Sequence, residues 1–264
     1  MPRISVIMGV YNSNNEKIVK PAINSILDQT YVDLEFIICD DGSTDGTYEL
    51  VKSLTKHDDR VILIRNKKNM GLAKSLNNCF ELARGEYIAR MDADDISLLD
   101  RLEKQVVFLD DNSDYDLVGC NAILFDEKSD WGYREMPQYP EKNNFLFGPP
   151  FIHPSILIRK SVMKALEGYR VEKETLRCED YDLFMRLYAM GLKGHNIQER
   201  LLKVRVDHDA YKRRKYKYRI DEAKVRFRGF KMLHLMPIGL FYTIKPLVVG
   251  LIPQGILEIA RQKI

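Results

Sequence analysis

The chain has 264 residues, of which 45% are hydrophobic and 30% charged, and its formal net charge is +3. This length and composition predict one large globular domain, or one domain with an extension. The four cysteines (Cys39, Cys79, Cys120 and Cys178) are far apart and form no CxxC pair, which argues against a zinc or disulfide framework and for a reducing cytoplasm. The first apolar run, 4–10, is too short for a signal peptide, so we expect a protein that is not secreted.

Apolar runs and amphipathic segments alternate through the first hundred residues. Buried strands are predicted at 4–10, 34–39, 61–64 and 87–91, and helices near 16–28, 47–55 and 71–83. This alternation, with continuous apolar strands, predicts an α/β fold in which helices cover both faces of a mostly parallel sheet. In such sheets, ligands bind beyond the carboxyl ends of the strands.

Polar motifs follow three of these predicted strands: Tyr11-Asn12, Asp40-Asp41 and Asp92-Ala93-Asp94-Asp95. Three carboxylates within four positions repel one another unless a cation or a proton neutralises them. Hard oxygen ligands at a strand end suit Mg²⁺ or Mn²⁺ held together with substrate phosphates. The alternative is structural, because Asp95 would then cap a helix that starts near Ser97.

The chemistry of these motifs fits a bound nucleotide. A carboxylate at Asp41 can accept the N3–H of a uracil or thymine ring, a bond that cytosine cannot offer. Asp92 can reach ribose hydroxyls or the metal, and Asp94 can hold a divalent ion against a pyrophosphate. No GxGxxG or GxxxxGK[ST] loop occurs where a phosphate would need it, so a metal has to neutralise the phosphates. The alternative for the Asp40-Asp41 stretch is a tight turn in which Asp45 or Thr44 caps the next helix.

Charge is divided unevenly along the chain. Residues 210–231 carry a net +8, residues 232–264 a net +2 and the first 209 residues a net −7. The basic segment leads into an apolar stretch, 232–257, in which prolines leave no clean membrane span of roughly 18 residues. A basic segment joined to an apolar one favours the surface of an anionic membrane over nucleic acid as the partner. The alternative is a helical pair that packs on the body or forms a dimer.

The motifs are joined by further stretches with a recognisable order and spacing. The set comprises residues 4–12, 25–30, 40–47, 69–77, 90–95 and 178–182. Together they resemble the family 2 glycosyltransferases of the GT-A (Rossmann-like) fold, over about residues 3–206. The resemblance implies a nucleotide-diphosphate sugar donor, a divalent metal (Mn²⁺ or Mg²⁺), inversion at the anomeric carbon, and a place in bacterial surface-polysaccharide assembly.

The same resemblance implies roles for individual residues. The nucleotide base is surrounded by Val10, Tyr11 and Asp41, and the metal is held by Asp92 and Asp94. The predicted nucleotide-sugar site comprises Val10, Tyr11, Asn12, Asp41, Asn69, Asp92, Ala93, Asp94, His153 and Glu179. Asp180 takes the role of the general base.

The role of Asp180 also has a physical reason. Leu183, Leu187 and Met190 recur at helical spacing, so Asp180 lies in or just before the first turn of a helix. An inverting displacement needs one carboxylate that takes the acceptor proton on the face opposite the departing diphosphate. The alternative is that Glu179 and Asp180 only complement the helix dipole.

We therefore predict a GT-A domain over 1–208 and a basic, apolar helical extension over 209–264, in contact with a membrane surface or a second copy. The predicted activity is metal-dependent, inverting transfer from a UDP- or dTDP-sugar to a glycan acceptor, which we expect to be carried on a lipid at the cytoplasmic leaflet. The family's Tyr-Arg-x-His segment is one residue longer here before His208, which leaves the role of that histidine open. Two other functions compete: a non-catalytic nucleotide-sugar-binding protein, which has no use for a base, and a Mg²⁺-dependent phosphohydrolase, which places an aspartate where this chain has Tyr11-Asn12.

Overall fold

In the computed structural model, which describes residues 1–206 and 216–251, a nine-stranded sheet lies between two helical layers. The strands are β1 (Ile4–Val10), β2 (Leu34–Asp40), β3 (Val61–Arg65), β4 (Tyr87–Asp92), β5 (Ile96–Ser97), β6 (Leu117–Phe125), β7 (Asp130–Arg134), β8 (Leu157–Arg159) and β9 (Gly194–Arg205). The α-helices are α1 (Glu16–Leu27), α2 (Thr47–Thr55), α3 (Leu72–Leu82), α4 (Arg101–Asp111), α5 (Lys160–Ala165), α6 (Glu179–Ala189), α7 (Tyr216–Met232) and α8 (Ile238–Leu251).

The strands run in the order β3-β2-β1-β4-β8-β6-β9-β5, with β7 paired to β6. The first four are parallel, and β8 joins β4 in the antiparallel sense, so the sheet is mixed from β8 onward. The predicted α/β class is confirmed, and the strands and helices predicted in the first hundred residues are present within one or two residues.

The side chains of β1 alternate between two apolar cores, as the two-residue period of a strand requires. Ile7 packs on one face, in a cluster that includes residues of α3, α5, α6 and α7. Val6 and Met8 pack on the other face, with residues of α1, α2 and α4. Both faces of the sheet are therefore covered, as the continuous apolar strands predict.

The three polar motifs meet at one edge of this sheet. In the parallel register, Val10 at the end of β1 lies beside Asp40 of β2, and Gly9 lies beside Asp92 of β4. Because the three strands point the same way, residues that follow them share the edge at their carboxyl ends. The sheet thus brings together motifs that are up to 80 residues apart in the chain.

The interpretation of Asp95 as a helix cap is wrong. Helix α4 begins at Arg101, whereas Ser97 lies in the short strand β5 and pairs with Leu202 of β9. The Asp95 carboxylate accepts a hydrogen bond from the backbone N–H of Arg205, over 2.8 Å. Pairing with β9 therefore keeps the chain extended after the acidic motif and delays the start of the helix.

The first helix of the C-terminal extension is part of the core. Val225 and Phe230 of α7 are buried in the cluster that contains α6. A Cβ atom at Gly229 would lie 2.0 Å from the Met185 sulfur, which shows how closely α7 crosses α6. The predicted boundary at 208/209 and His208 itself lie outside the described residues.

The second helix, α8, turns an apolar face outward. Its exposed large side chains are Ile238, Leu240, Phe241, Ile244, Val248 and Leu251. Within residues 1–206 and 216–251, none of the helices has both the length and the apolar character needed to cross a membrane.

Candidate active site

The acidic motif forms a compact cluster at the end of β4. One carboxylate oxygen from each of Asp92, Asp94 and Asp95 lies within 4.8 Å of the others. Asp92 pairs with the buried guanidinium of Arg90 on the same strand. Limited hydration in the cavity, and then the charge of Asp92, raise the pKa of Asp94 to about 6. Such a cluster is electrostatically strained until a proton or a cation reduces its charge.

The donor set fits a hard divalent cation. All three side chains offer carboxylate oxygens, the ligands that Mg²⁺ and Mn²⁺ prefer. The Oδ2 atom of Asp95 is buried and has no hydrogen-bond partner within the described part of the chain, although Oδ1 is fixed by Arg205. A buried oxygen without a donor is costly unless something else satisfies it, and a cation at the cluster would do so.

The acidic cluster and the predicted base line one cavity. Its volume is about 490 Å³, and its lining comprises Asp92, Asp94, Asp95, Arg134, Met136, Pro149, Phe151, Ile152, His153, Pro154, Asp180, Val204 and Arg205. Asp92, Asp94, His153 and Asp180 were predicted from the sequence, and the fold brings these four together. A molecule in this space can contact the acidic cluster and Asp180 at once.

Asp180 lies in the first turn of α6, as the helical spacing predicts. Its Oδ1 atom accepts the backbone N–H of Tyr181 at 2.7 Å, which orients the carboxylate. Burial raises the pKa of Asp180. Burial, and then the charge of Asp180, raise the pKa of the adjacent Glu179 to about 7. The two neighbouring carboxyl groups therefore do not ionise together readily, which is a common property of acid–base sites.

Helix α6 is held in place by its own buried acid, Asp182. The Asp182 carboxylate accepts hydrogen bonds from Arg170 at 2.7 Å, from Arg186 at 2.7 Å and from Arg228 of α7 at 3.2 Å. Because Asp182 lies two residues after Asp180, these three guanidinium groups also fix the position of Asp180.

His153 is buried and meets the Tyr169 hydroxyl, with 2.8 Å between Nε2 and the phenol oxygen. Burial, followed by the charge of Arg90, lowers the pKa of His153 well below its ordinary value, so the imidazole is neutral. Two buried side chains of α4 hold the two residues that follow His153. Arg101 donates to the Pro154 carbonyl and Gln105 to the Ser155 carbonyl, each over 2.6 Å.

The two aspartates that follow β2 have different surroundings. Asp40 is fully buried and pairs with Arg65 at 3.0 Å, so its role is structural. Asp41 accepts hydrogen bonds from the Asn66 amide at 2.8 Å and from the backbone N–H groups of Met70 (2.9 Å) and Gly71 (2.8 Å). A carboxylate offers about four acceptor positions, and these three donors occupy three of those of Asp41.

The other predicted donor-site residues lie around this edge. Val10 is buried at the end of β1, and Tyr11 is exposed beside it. Asn12 adopts a left-handed conformation and bonds to the β2–α2 turn through Ser43 and Thr44. Asn69 is exposed on the loop that closes over Asp41, and Ala93 is half-buried within the acidic motif. None of these five lines the 490 Å³ cavity, so their assignment to the donor site stays a prediction.

Sequence reasoning missed several residues of the site. Arg90 carried one signal, since a charged residue within a buried strand needs a partner. The contacts of Asn66 with Asp41 and of Arg205 with Asp95 had none, because they join loops and strands that are distant in the chain. Arg134 lies at the end of β7 in a stretch that the sequence marks only as polar.

Comparison with known proteins places this chain in a family. Residues 5–166 match the family model for glycosyl transferase family 2. The putative glycosyltransferase EpsE of Bacillus subtilis is 44% identical over 258 residues, which are 97% of this chain and 92% of EpsE. The O-antigen biosynthesis glycosyltransferase WbnJ of Escherichia coli is 35% identical over 211 residues, which are 77% of this chain and 79% of WbnJ.

A solved structure shows the same fold. The mannosyltransferase PcManGT from Pyrobaculum calidifontis, in complex with GDP-Man and Mn²⁺, superposes with a TM-score of 0.65 over 99% of this chain and 80% of its own, at 19% identity. The predicted GT-A fold is confirmed by this likeness. A family match over more than half of the chain, and a relative that spans nearly all of it, show that this chain belongs to glycosyl transferase family 2 and is a glycosyltransferase.

Proposed function

We propose that this chain transfers a sugar from a UDP- or dTDP-sugar to a glycan acceptor, with inversion and with a divalent cation, in surface-polysaccharide biosynthesis. The observation that carries the proposal is a single cavity lined by the three clustered aspartates and by Asp180. The cluster suits the donor diphosphate with its cation, and Asp180 suits the acceptor hydroxyl. The similarity to WbnJ, an O-antigen biosynthesis enzyme, supports the polysaccharide context.

In this proposal Asp180 accepts the proton of the acceptor hydroxyl. Its Oδ1 atom is occupied by the Tyr181 N–H, so Oδ2 is the oxygen available for that proton. The acceptor oxygen bonds to the anomeric carbon as the bond from that carbon to the diphosphate breaks, which inverts the configuration. The adjacent Glu179 has a pKa of about 7, so it is largely protonated below pH 7. Asp180 can then carry its negative charge without a second one beside it.

The acidic cluster would hold the cation through Asp92, Asp94 and the open oxygen of Asp95. A bound Mn²⁺ or Mg²⁺ supplies Lewis-acid stabilisation of the departing diphosphate. Arg90 neutralises part of the charge of Asp92 from the protein side. At the nucleotide end, the remaining acceptor position of Asp41 would suit a base with an N3–H, which is the reason for preferring uracil or thymine.

We also propose that the chain works at the cytoplasmic face of a membrane, on an acceptor carried by a lipid. Helix α8 presents its apolar face to solvent, with Phe241 76% exposed. On α7, which packs on α8, Lys217 and Lys231 are exposed, and Lys224 between them is paired with Glu174 at 3.2 Å. An exposed apolar helix face together with exposed lysines on the adjacent helix suits the interface of an anionic bilayer.

Two observations weigh against the competing functions. Strand β1 ends in Tyr11-Asn12, and a phosphohydrolase would need its nucleophilic aspartate there. A non-catalytic binding protein has no use for Asp180, whose burial beside Glu179 costs free energy.

The test is a thermal-shift screen against UDP, dTDP and GDP, with and without Mn²⁺, followed by a transfer assay that detects released nucleotide. A ligand at about 100 times its Kd stabilises by roughly 2.7 kcal/mol, which is readily seen as a rise in Tm. Asp180→Asn should keep the nucleotide-dependent rise and lose turnover by about a hundredfold or more. Asp100→Asn, which alters an exposed acid paired with Lys104, is the matched control. Equal turnover of Asp180→Asn and wild type would remove the base from the proposal.

A further inference from the structure

Other lining residues of the cavity come from the end of β7, from the residues that follow it and from the loop 147–152. They are Arg134, Met136, Pro149 and Phe151. The Asn196 amide donates to the Pro137 carbonyl at 2.8 Å and to the Pro150 carbonyl at 3.0 Å, so the two segments are fixed side by side. We call these residues the acceptor rim, since Asp180 lines the same space.

The Arg134 side chain is the cation of the acceptor rim that meets no partner among the described residues. The other arginine of the cavity, Arg205, stacks on Phe125 and donates to the Asp94 carbonyl. The backbone of Arg134 pairs with Ala122 of β6, but its exposed side chain makes no hydrogen bond, ion pair or ring contact within residues 1–206 and 216–251. Four carboxylates line the same cavity, yet Arg134 pairs with none of them. An anionic group on a ligand would give this guanidinium a partner.

An apolar surface leads away from the acceptor rim to α8. Phe147, two residues before Pro149, is 65% exposed, and its ring meets that of Tyr242 edge-on with 5.3 Å between centroids. Arg226 of α7 donates to the Leu146 carbonyl at 3.2 Å, so α7 fixes the backbone just before the loop 147–152. Phe241, next to Tyr242, is among the most exposed apolar side chains of the protein.

We propose that Arg134 and Phe147 select an acceptor in which a phosphate group joins the sugar to a long apolar chain. The sugar lies in the cavity beside Asp180, the phosphate lies at Arg134, and the chain passes over Phe147 onto the exposed face of α8. This assignment rests on the proposed function and adds to it the residues that read the acceptor. From Ile238 to Ile244 that face extends for about 9 Å, enough to cover several methylene groups of the chain.

The sole tryptophan, Trp131, provides a reporter, because it lies on β7 three residues before Arg134. Binding of geranylgeranyl phosphate is followed by Trp131 fluorescence and by calorimetry, below the concentration at which the lipid forms micelles. Arg134→Gln should weaken binding at least about tenfold, and Phe147→Ser about fivefold. The controls are Arg200→Gln, which removes a charge outside the cavity, and Val107→Ser, which removes an exposed apolar side chain from α4; both should bind as wild type does.

Comparison ligands distinguish the parts of the proposal. Geranylgeraniol and inorganic phosphate should each bind at least about tenfold more weakly than the joined molecule. Equal binding of the alcohol would overturn the role of Arg134, and equal binding of inorganic phosphate would overturn that of Phe147. Equal binding of dihexanoylphosphatidylglycerol would show a surface for any anionic lipid and overturn the acceptor assignment, as would the absence of saturable binding by both methods.

The nucleotide screen on the same variants separates this inference from the proposed function. Both variants should keep the rise in Tm with UDP and Mn²⁺. If Arg134→Gln loses that rise, Arg134 serves the donor diphosphate and the acceptor assignment is overturned. If the wild type shows no rise with any nucleotide but binds geranylgeranyl phosphate, the proposed function fails and the lipid–phosphate site stands.

Discussion

Asp182 offers a direct test of how the base helix is held. Asp182→Asn keeps the shape of the side chain but removes its charge and replaces one acceptor oxygen with an NH₂ group that faces guanidinium. Three hydrogen bonds are affected, from Arg170, Arg186 and Arg228. Bonds to a charged group are worth roughly 1 kcal/mol more than neutral ones, so the loss is about 3 kcal/mol. The arginines keep some access to water, with 12–36% of their side chains exposed, which holds the loss below that of a fully buried pair.

The measurement is urea unfolding of both proteins at pH 7. With an m-value of about 3 kcal/mol/M for a chain of this size, the midpoint should fall by about 1 M. Asp100→Asn, which breaks an exposed pair with Lys104, should shift it by less than about 0.3 M. At urea concentrations below the midpoint, Asp182→Asn should also have lower transfer activity than wild type, because α6 carries Asp180. A midpoint of Asp182→Asn within about 0.3 M of wild type would show that the arginines do not anchor the helix.

Three further changes test other parts of the structure. Gly42→Ala should destabilise the protein by more than about 2 kcal/mol, because Gly42 has a φ of +72° and a Cβ would lie 2.5 Å from the Lys68 carbonyl carbon; Gly132→Ala, with 3.7 Å of clearance, is its control in the same urea assay. Burial, and then Asp180, raise the pKa of Glu179 from 4.5 to about 7, so the folded state holds the proton more tightly and stability should fall as the pH rises from about 4.5 to 7, then level off. Glu179→Gln should flatten that decline in metal-free buffer, and parallel curves for both proteins would contradict this. Asp94→Asn should abolish the Mn²⁺-dependent part of the Tm rise with UDP, whereas a retained rise would move the metal to other ligands.

Much of the N-terminal half could be predicted from the sequence, because its signals are local. The prediction of a helix at 47–55 agrees with α2, since an amphipathic segment bounded by glycine and a polar turn has few alternatives. The convergence of the three motifs followed from parallel strands alone. The site predictions that concern Asp92, Asp94, His153 and Asp180 place all four side chains in one cavity, although their individual roles stay predictions.

The errors and omissions concern contacts between distant parts of the chain. The local sequence around Asp95 resembles a helix cap. In the structure its carboxylate instead accepts a hydrogen bond from the backbone N–H of Arg205 in β9, 110 positions away. The charge count of the basic extension indicates an external segment. In the structure, however, Arg226 forms an ion pair with Glu222, and Arg228 forms one with Asp182. A charge count does not distinguish a solvated arginine from a paired one, and no local sequence pattern predicts which acid will pair with it.

The packing of α7 against α6 has a consequence for how the protein is made. Helix α6 leaves the ribosome about 35 residues ahead of Val225 and Phe230, which complete its apolar surroundings. Until those residues emerge, the nascent chain carries an uncovered apolar surface near Asp180. Arg228, the third arginine that donates to Asp182, has not yet been synthesised either. Asp180 therefore reaches its final position only after α7 has been synthesised. We expect chaperones and proteases to recognise a chain that is stalled or cleaved before this helix, so that no active enzyme is released from it.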